Sequence, residues 1–210
     1  MTAIEKIAFF QNIRSEIPNQ QLAQELAFAE DVNGIQEIVD NLSHKNRNVR
    51  SDCLKVLYEI GYLKPYLIRP YVQDLLSLLH DKENRMVWGA FIALATIAKL
   101  SPDEIWKQID TLLEKFDHGS VITVVWGIKL FASLASTKQE YSKKLFPVMV
   151  RTLETCIPRD IPTHAENMLP TINAGNQKII FSLLTSRQKE MTASQLSRCR
   201  RVIKKMQAIS

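Results

Sequence analysis

The chain has 210 residues, of which 46% are hydrophobic and 23% charged, with only 6 Gly and 8 Pro. That composition suits a packed helical protein and excludes an intrinsically disordered one. The three cysteines (Cys53, Cys156, Cys199) are odd in number, far apart and without a CxxC pair, which argues against a disulfide framework or a zinc knuckle.

The start, MTAIEKIAFF, lacks the basic and long apolar regions of a signal peptide. The longest uncharged apolar run, residues 86–98, is too short to span a bilayer. A reduced, cytoplasmic setting without a membrane partner is therefore expected. The net charge of +5 is uneven. Residues 1–31 hold 2 basic and 5 acidic side chains, a net −3, whereas residues 157–210 hold 9 basic and 3 acidic, a net +6. Such asymmetry steers partners and favours head-to-tail contact between copies.

In chain order, helices are expected first at 3–14 and 19–30. An internal repeat follows. The apolar triplet Ile38, Val39, Leu42 returns as Leu75, Leu76, Leu79, then Leu112, Leu113, Phe116, then Met149, Val150, Leu153, at steps of 37. Downstream of it, Val49, Leu54, Leu57 align with Val87, Ile92, Ala95 and with Val125, Leu130, Ser133, at steps of 38. Each unit thus holds two helical segments, and no stretch alternates like a strand. Ser101-Pro102-Asp103-Glu104 reads as a capping box with Pro at the first helical position, and Thr192 with Gln195 reads as another. Pro158, Pro162 and Pro170 interrupt the second helix of the fourth unit. The turn Asn173-Ala174-Gly175-Asn176 leads to terminal helices at 177–187 and 193–208.

Asp81 followed by Val87, and Val49-Arg50 followed by KVLYEIG, give the chain a pattern that resembles the HEAT-repeat, armadillo-like family of α-solenoids. The resemblance implies an all-α fold, a right-handed α-α superhelix of about four helix pairs with additional terminal helices. It divides a single domain into an N-terminal cap (1–32), repeats at 33–65, 66–101 and 102–138, an irregular repeat at 139–172 and a C-terminal cap (173–210). It also implies a binding or scaffold role without enzymatic activity.

Helical phase locates the candidate surfaces. Asn48, Asp52, Lys55 and Glu59 share one polar face, because each residue turns about 100°. The equivalent positions in later repeats include Ala93, Ile97, Ile128 and Phe131. A protein partner is expected on this second-helix surface: Asp52, Lys55, Glu59, Ala93, Ile97, Ile128 and Phe131. A second copy of the chain is a further candidate occupant. Trp88 and Trp126, each inside a Val-Trp-Gly tripeptide, fall in the column of Arg50. In the resembling family that column holds Arg paired with Asp of a neighbouring turn. Both indoles are expected inside, with Gly89 and Gly127 admitting a neighbouring helix, and Trp88→Ala is then expected to cost about 3–5 kcal/mol.

Catalytic chemistry has little support. No GxGxxG, P-loop or GxSxG occurs. His44, His80 and His118 recur one per repeat, but helices pack about 8–10 Å apart, too far for ligands that must lie about 2 Å from one zinc ion. The His-Glu motifs of HEAT-like iron hydroxylases are missing. HEAT-like DNA glycosylases need a carboxylate beside their aromatic residues; one turn after Trp88 and Trp126 stand Ile92 and Leu130. No catalytic residue, metal or cofactor is expected. The alternative function is repair-related nucleic-acid binding through the amphipathic last helix, whose basic patch is Arg198, Arg200, Arg201, Lys204 and Lys205. Its apolar arc comprises Leu196, Cys199, Val202, Ile203, Met206 and Ile209.

Overall fold

The computed structural model describes residues 2–208, which contain helices and no strands; Ile209 of the predicted apolar arc lies outside them. The chain packs as two compact units, Met1–Trp126 and Gly127–Ser210.

The first unit contains α1 (Ile17–Ala29), α2 (Val32–Asp40), α3 (Arg47–Leu63), α4 (Val72–Ser77), α5 (Asn84–Ile97), α6 (Pro102–Trp106), α7 (Ile109–Asp117) and the start of α8 (Val121–Ala135). The helix expected at 3–14 does not form; only a 3-10 turn, Ile4–Lys6, is present. Tertiary acceptors outcompete the local helix here. The backbone N–H of Ala8 donates to Asn19 Oδ1 (2.9 Å) and that of Phe9 to Asp52 Oδ2 (2.9 Å). Asn12 takes a left-handed conformation (φ 53), which stops helical propagation. The irregular path still buries Ile7 and Ala8.

Pro18 sits in the first turn of α1, where its missing N–H costs nothing. The helix ends on Glu30 at φ 51, with Asp31 N–H closing onto Leu26 O (3.1 Å). Glu30 does without the usual glycine because its carboxylate is held, by Lys64 Nζ at 2.7 Å and Tyr66 Oη at 2.6 Å. Asp31 caps α2 through Gly34 N–H, and Asn46 caps α3 through Asn48 N–H (both 2.9 Å). The repeat is visible in its turns. His44 Nδ1 accepts from Asn46 N–H (3.0 Å), and 37 residues on Asp81 Oδ1 accepts from Glu83 N–H (2.8 Å). Two different side chains thus close the same turn.

The repeat triplets become core. Ile38, Val39, Leu42, Leu75, Leu76, Leu79, Leu112 and Phe116 are buried. Arg50 donates to Asp81 Oδ2 at 2.5 Å, the arginine–aspartate bond that the resemblance implies. Gly89 sits where a Cβ would run into the Leu54 side chain, so α5 approaches α3 closely, as the tripeptide predicted. Gly61 does the same on α3, against Thr96.

Three expectations need correction. Trp88 and Trp126 are half-buried, not interior. Arg85 lies over the Trp88 ring (5.8 Å to the centroid), and Trp126 stacks on Tyr62 (5.7 Å, 29°). A large ring flanking a glycine-mediated contact cannot also occupy it. Ser101 is the N-cap of α6 by position, but its hydroxyl makes no cap bond and is buried without a partner. Finally, the first helix of the third repeat divides into α6 and α7.

The second unit holds the end of α8, α9 (Gln139–Thr155), α10 (Ile161–Met168), α11 (Gln177–Ser186) and α12 (Ala193–Gln207). Met149 and Leu153 are buried here. Proline shortens α10 as expected: Pro162 occupies its first turn and Pro170 the 3-10 turn after it. Arg187 caps the end of α9 by donating to Leu153 O (2.9 Å) and Cys156 O (2.8 Å). The Thr192–Gln195 capping box forms in full. On α12, Cys199, Val202 and Met206 are buried.

Filling the α3–α5 contact should be more harmful than trimming the half-buried indole. Gly89→Val should cost about 1–3 kcal/mol or more through overpacking, and Trp88→Ala less than the 3 kcal/mol typical of interior aromatics. Urea unfolding of both variants checks the order; a Trp88→Ala loss exceeding that of Gly89→Val would contradict it.

Candidate binding surface

The polar column of α3 continues one step beyond its predicted end. Spacings of four and three residues place Asn48, Asp52, Lys55, Glu59 and also Tyr62 on one face. Sequence reasoning missed Tyr62, although the spacing from Lys55 repeats that from Asn48. Tyr62 is 42% exposed and carries the Trp126 stack on one side. It also meets Tyr58, with centroids 5.9 Å apart.

Lys55 is the centre of this face but not the surface contact expected of it: it is only 7% exposed. Its ammonium lies 2.7 Å from Glu59 Oε1 and 2.9 Å from Glu16 Oε2, and 4.9 Å from the Tyr58 ring centroid. Burial opposes its charge, but the hydrogen bonds to Glu59 and Glu16 prevail and hold its pKa above the ordinary lysine value. Glu16 also reaches Arg85 Nη2 at 3.3 Å, so one carboxylate joins the start of α1 to α3 and α5.

A cleft of about 540 Å³ opens beside the column, between residues 8–16 and the N-terminal turns of α3 and α5. Its walls include Phe9, Ile13, Arg14, Glu16, Asp52 and Arg85. Asp52 is half-buried, and the Phe9 N–H bond uses one of its oxygens. Phe9 (37%) and Ile13 (44%) are exposed aromatic and aliphatic surface beside these charges.

The rest of the predicted surface is not a surface. Ala93, Ile97, Ile128 and Phe131 are all 0% exposed. A helix apolar on every side is driven into the interior, and α5 is buried almost throughout from Met86 to Ala98. A partner reaches none of these four without opening the fold. The basic patch also divides. Arg198 is drawn inward, donating to both oxygens of Glu166 (3.0 and 2.6 Å) and to Thr163 Oγ1 (2.9 Å). Arg200, Arg201, Lys204 and Lys205 remain exposed.

The thiols are poor nucleophiles. Burial pushes Cys53 up to about 12 and raises Cys156 and Cys199 above the ordinary thiol value. Among the described residues no group of three or more His, Cys, Asp or Glu is placed to hold a metal ion. No helix among them is long and apolar enough to cross a membrane.

Stacked helix pairs that bury a repeated apolar triplet, and carry charged and aromatic side chains on a second helix, define a helical repeat fold. Comparison with solved structures agrees: the fold is that of an armadillo-like repeat solenoid. An engineered protein from the Northeast Structural Genomics Consortium is similar with a TM-score of 0.63 and 18% identity, over 99% of this chain and 98% of that one. A designed armadillo repeat protein in complex with the peptide (KR)4 is similar with a TM-score of 0.63 and 17% identity, over 89% and 86%. Another designed armadillo repeat protein gives a TM-score of 0.59 and 15% identity, over 97% and 98%. No protein-family model matches the chain, and no curated protein matches its sequence.

His164 supplies a pH prediction. It is 2% exposed, its Nδ1 has no hydrogen-bond partner, and burial holds its pKa below the ordinary 6.5 despite Asp160. The fold therefore favours the neutral ring. Its contribution is complete above pH 6.5 and is lost as pH falls from there through the lowered folded-state value. The urea midpoint should drop between pH 7 and pH 5 more in the native protein than in His164→Asn. Equal drops would remove His164 as the cause.

Proposed function

We propose that this protein is a non-enzymatic binding scaffold that takes a protein or peptide segment on the α3 face of its first unit. Asp52, Glu59 and Tyr62 are the contact residues, without a cofactor, and Lys55 orders them from beneath through Glu59 and Glu16. One observation carries the reading: the exposed, stacked Tyr62 ends a charged column that runs into an open cleft walled by Phe9 and Ile13. A rigid aromatic anchor beside charged groups and apolar side chains is the composition of a protein-binding hot spot. The similar designed armadillo protein is in complex with a peptide, which supports this ligand class. The six-part repeat division of the chain and a cytoplasmic setting belong to the same proposal.

A photoreactive residue at position 62 should crosslink a protein from native extract, whereas one at Gln36, on the exposed side of α2, should not. With the crosslinked partner purified, Tyr62→Ala should weaken binding at least tenfold, about 1.4 kcal/mol. Crosslinking confined to position 36, or unchanged affinity of Tyr62→Ala, would reject this surface.

A further inference from the structure

The last helix is an unused cationic surface. We propose that the exposed arc of α12 binds the phosphodiester backbone of nucleic acid, independently of the α3 face.

Residues 191–210 contain five cations and no acidic residue. One of the five, Arg198, is spent on Glu166, and that bond also neutralises the carboxylate nearest the patch. The field of Arg201 and Lys205 still reaches Glu166: after the Arg198 hydrogen bond, their charges help hold it below the ordinary carboxylate value. The other four cations point to solvent. Relative to buried Cys199 they sweep an arc of about 140°, at about 100° per residue, and span about 7.5 Å of helix axis. Each strand of duplex nucleic acid presents one negative charge per roughly 3.4 Å of axis, so about two phosphates of each strand lie over that span. Four long cationic side chains spread over that arc can reach the phosphates of both strands that border a groove, one contact per cation.

The geometry is preorganised. The capping box fixes the start of α12, the Arg198–Glu166 bond ties it to α10, and Cys199, Val202 and Met206 anchor it in the core. Because the apolar face is already buried, the helix has none to insert into a lipid surface. An acidic protein fits less well. Protein hot spots set Arg among Trp and Tyr in desolvated pockets, and the exposed positions of the described part of α12 hold only cations, Ser, Ala and Gln, with no aromatic beside them. Attraction to phosphate through counterion release needs no such anchor. With no aromatic side chain on α12 for base stacking, binding is to backbone and insensitive to sequence.

The test is fluorescence anisotropy of a labelled random-sequence DNA duplex titrated with the full chain, repeated across salt concentrations and with polyglutamate as competitor. Four phosphate contacts predict an affinity loss of roughly 150-fold between about 50 and 200 mM salt. Substituting Arg200, Arg201, Lys204 and Lys205 together by Gln should abolish binding, and Arg200→Gln with Lys204→Gln should weaken it at least tenfold while leaving the helical circular dichroism unchanged. No binding at low salt, equal binding by the folded double variant, or displacement by polyglutamate as effective as by unlabelled DNA would overturn the proposal, the last in favour of an acidic protein.

Discussion

The first unit depends on how closely α5 approaches α3. At Gly89 the space a methyl group would occupy is taken by Leu54, and at Gly61 by Thr96. Each missing Cβ admits a side chain from the facing helix, so the two helices interlock from both directions. With that distance fixed, Arg50 on α3 can reach Asp81 in the next turn. The same approach leaves no room for a tryptophan in the contact, and Trp88 is displaced to a half-exposed position under Arg85. The half-exposed position of Trp88 follows from the glycine beside it.

What the sequence revealed was whatever repeats. A triplet at a constant interval reports one buried environment used several times, and Ile38, Leu75, Leu112 and Met149 are all 0% exposed. The Thr192 cap was readable because it depends on local spacing, and the Arg50–Asp81 bond, 31 residues apart, because the family resemblance implied it. The region before Ile17 was not. Its helical pattern is genuine, but the acceptors that capture its N–H groups, Asn19 and Asp52, lie 11 and 43 residues away. No local pattern encodes them. Ser101 shows the same limit on a smaller scale, since spacing gives cap position but not hydroxyl direction.

The candidate surface was legible in its charges and misread in its apolar members. Helical phase placed Asp52, Lys55 and Glu59 in one column; Asp52 and Glu59 are half-buried at its edge, and Lys55 is buried beneath Glu16 and Glu59. Extending that face to Ala93, Ile97, Ile128 and Phe131 assumed that equivalent positions keep equivalent exposure. Exposure follows polarity as well as phase. The carboxylates of a charged column keep contact with water, whereas an alanine- and isoleucine-rich column is drawn into the interior. Tyr62 escaped notice for the opposite reason: an aromatic at the end of a helix looks like core until its neighbours are known.

The bond from Phe9 N–H to Asp52 makes part of the chain a standing occupant of the proposed binding face. The segment is irregular, and side chains of helices satisfy its backbone, much as a foreign extended peptide would be held. Its short connection to α1 gives it a local concentration of about millimolar or higher. A ligand that needs the same oxygen of Asp52 must outcompete a tethered rival, while one that docks at Tyr62 meets no such competition. The face therefore discriminates by strength at one end and by shape at the other.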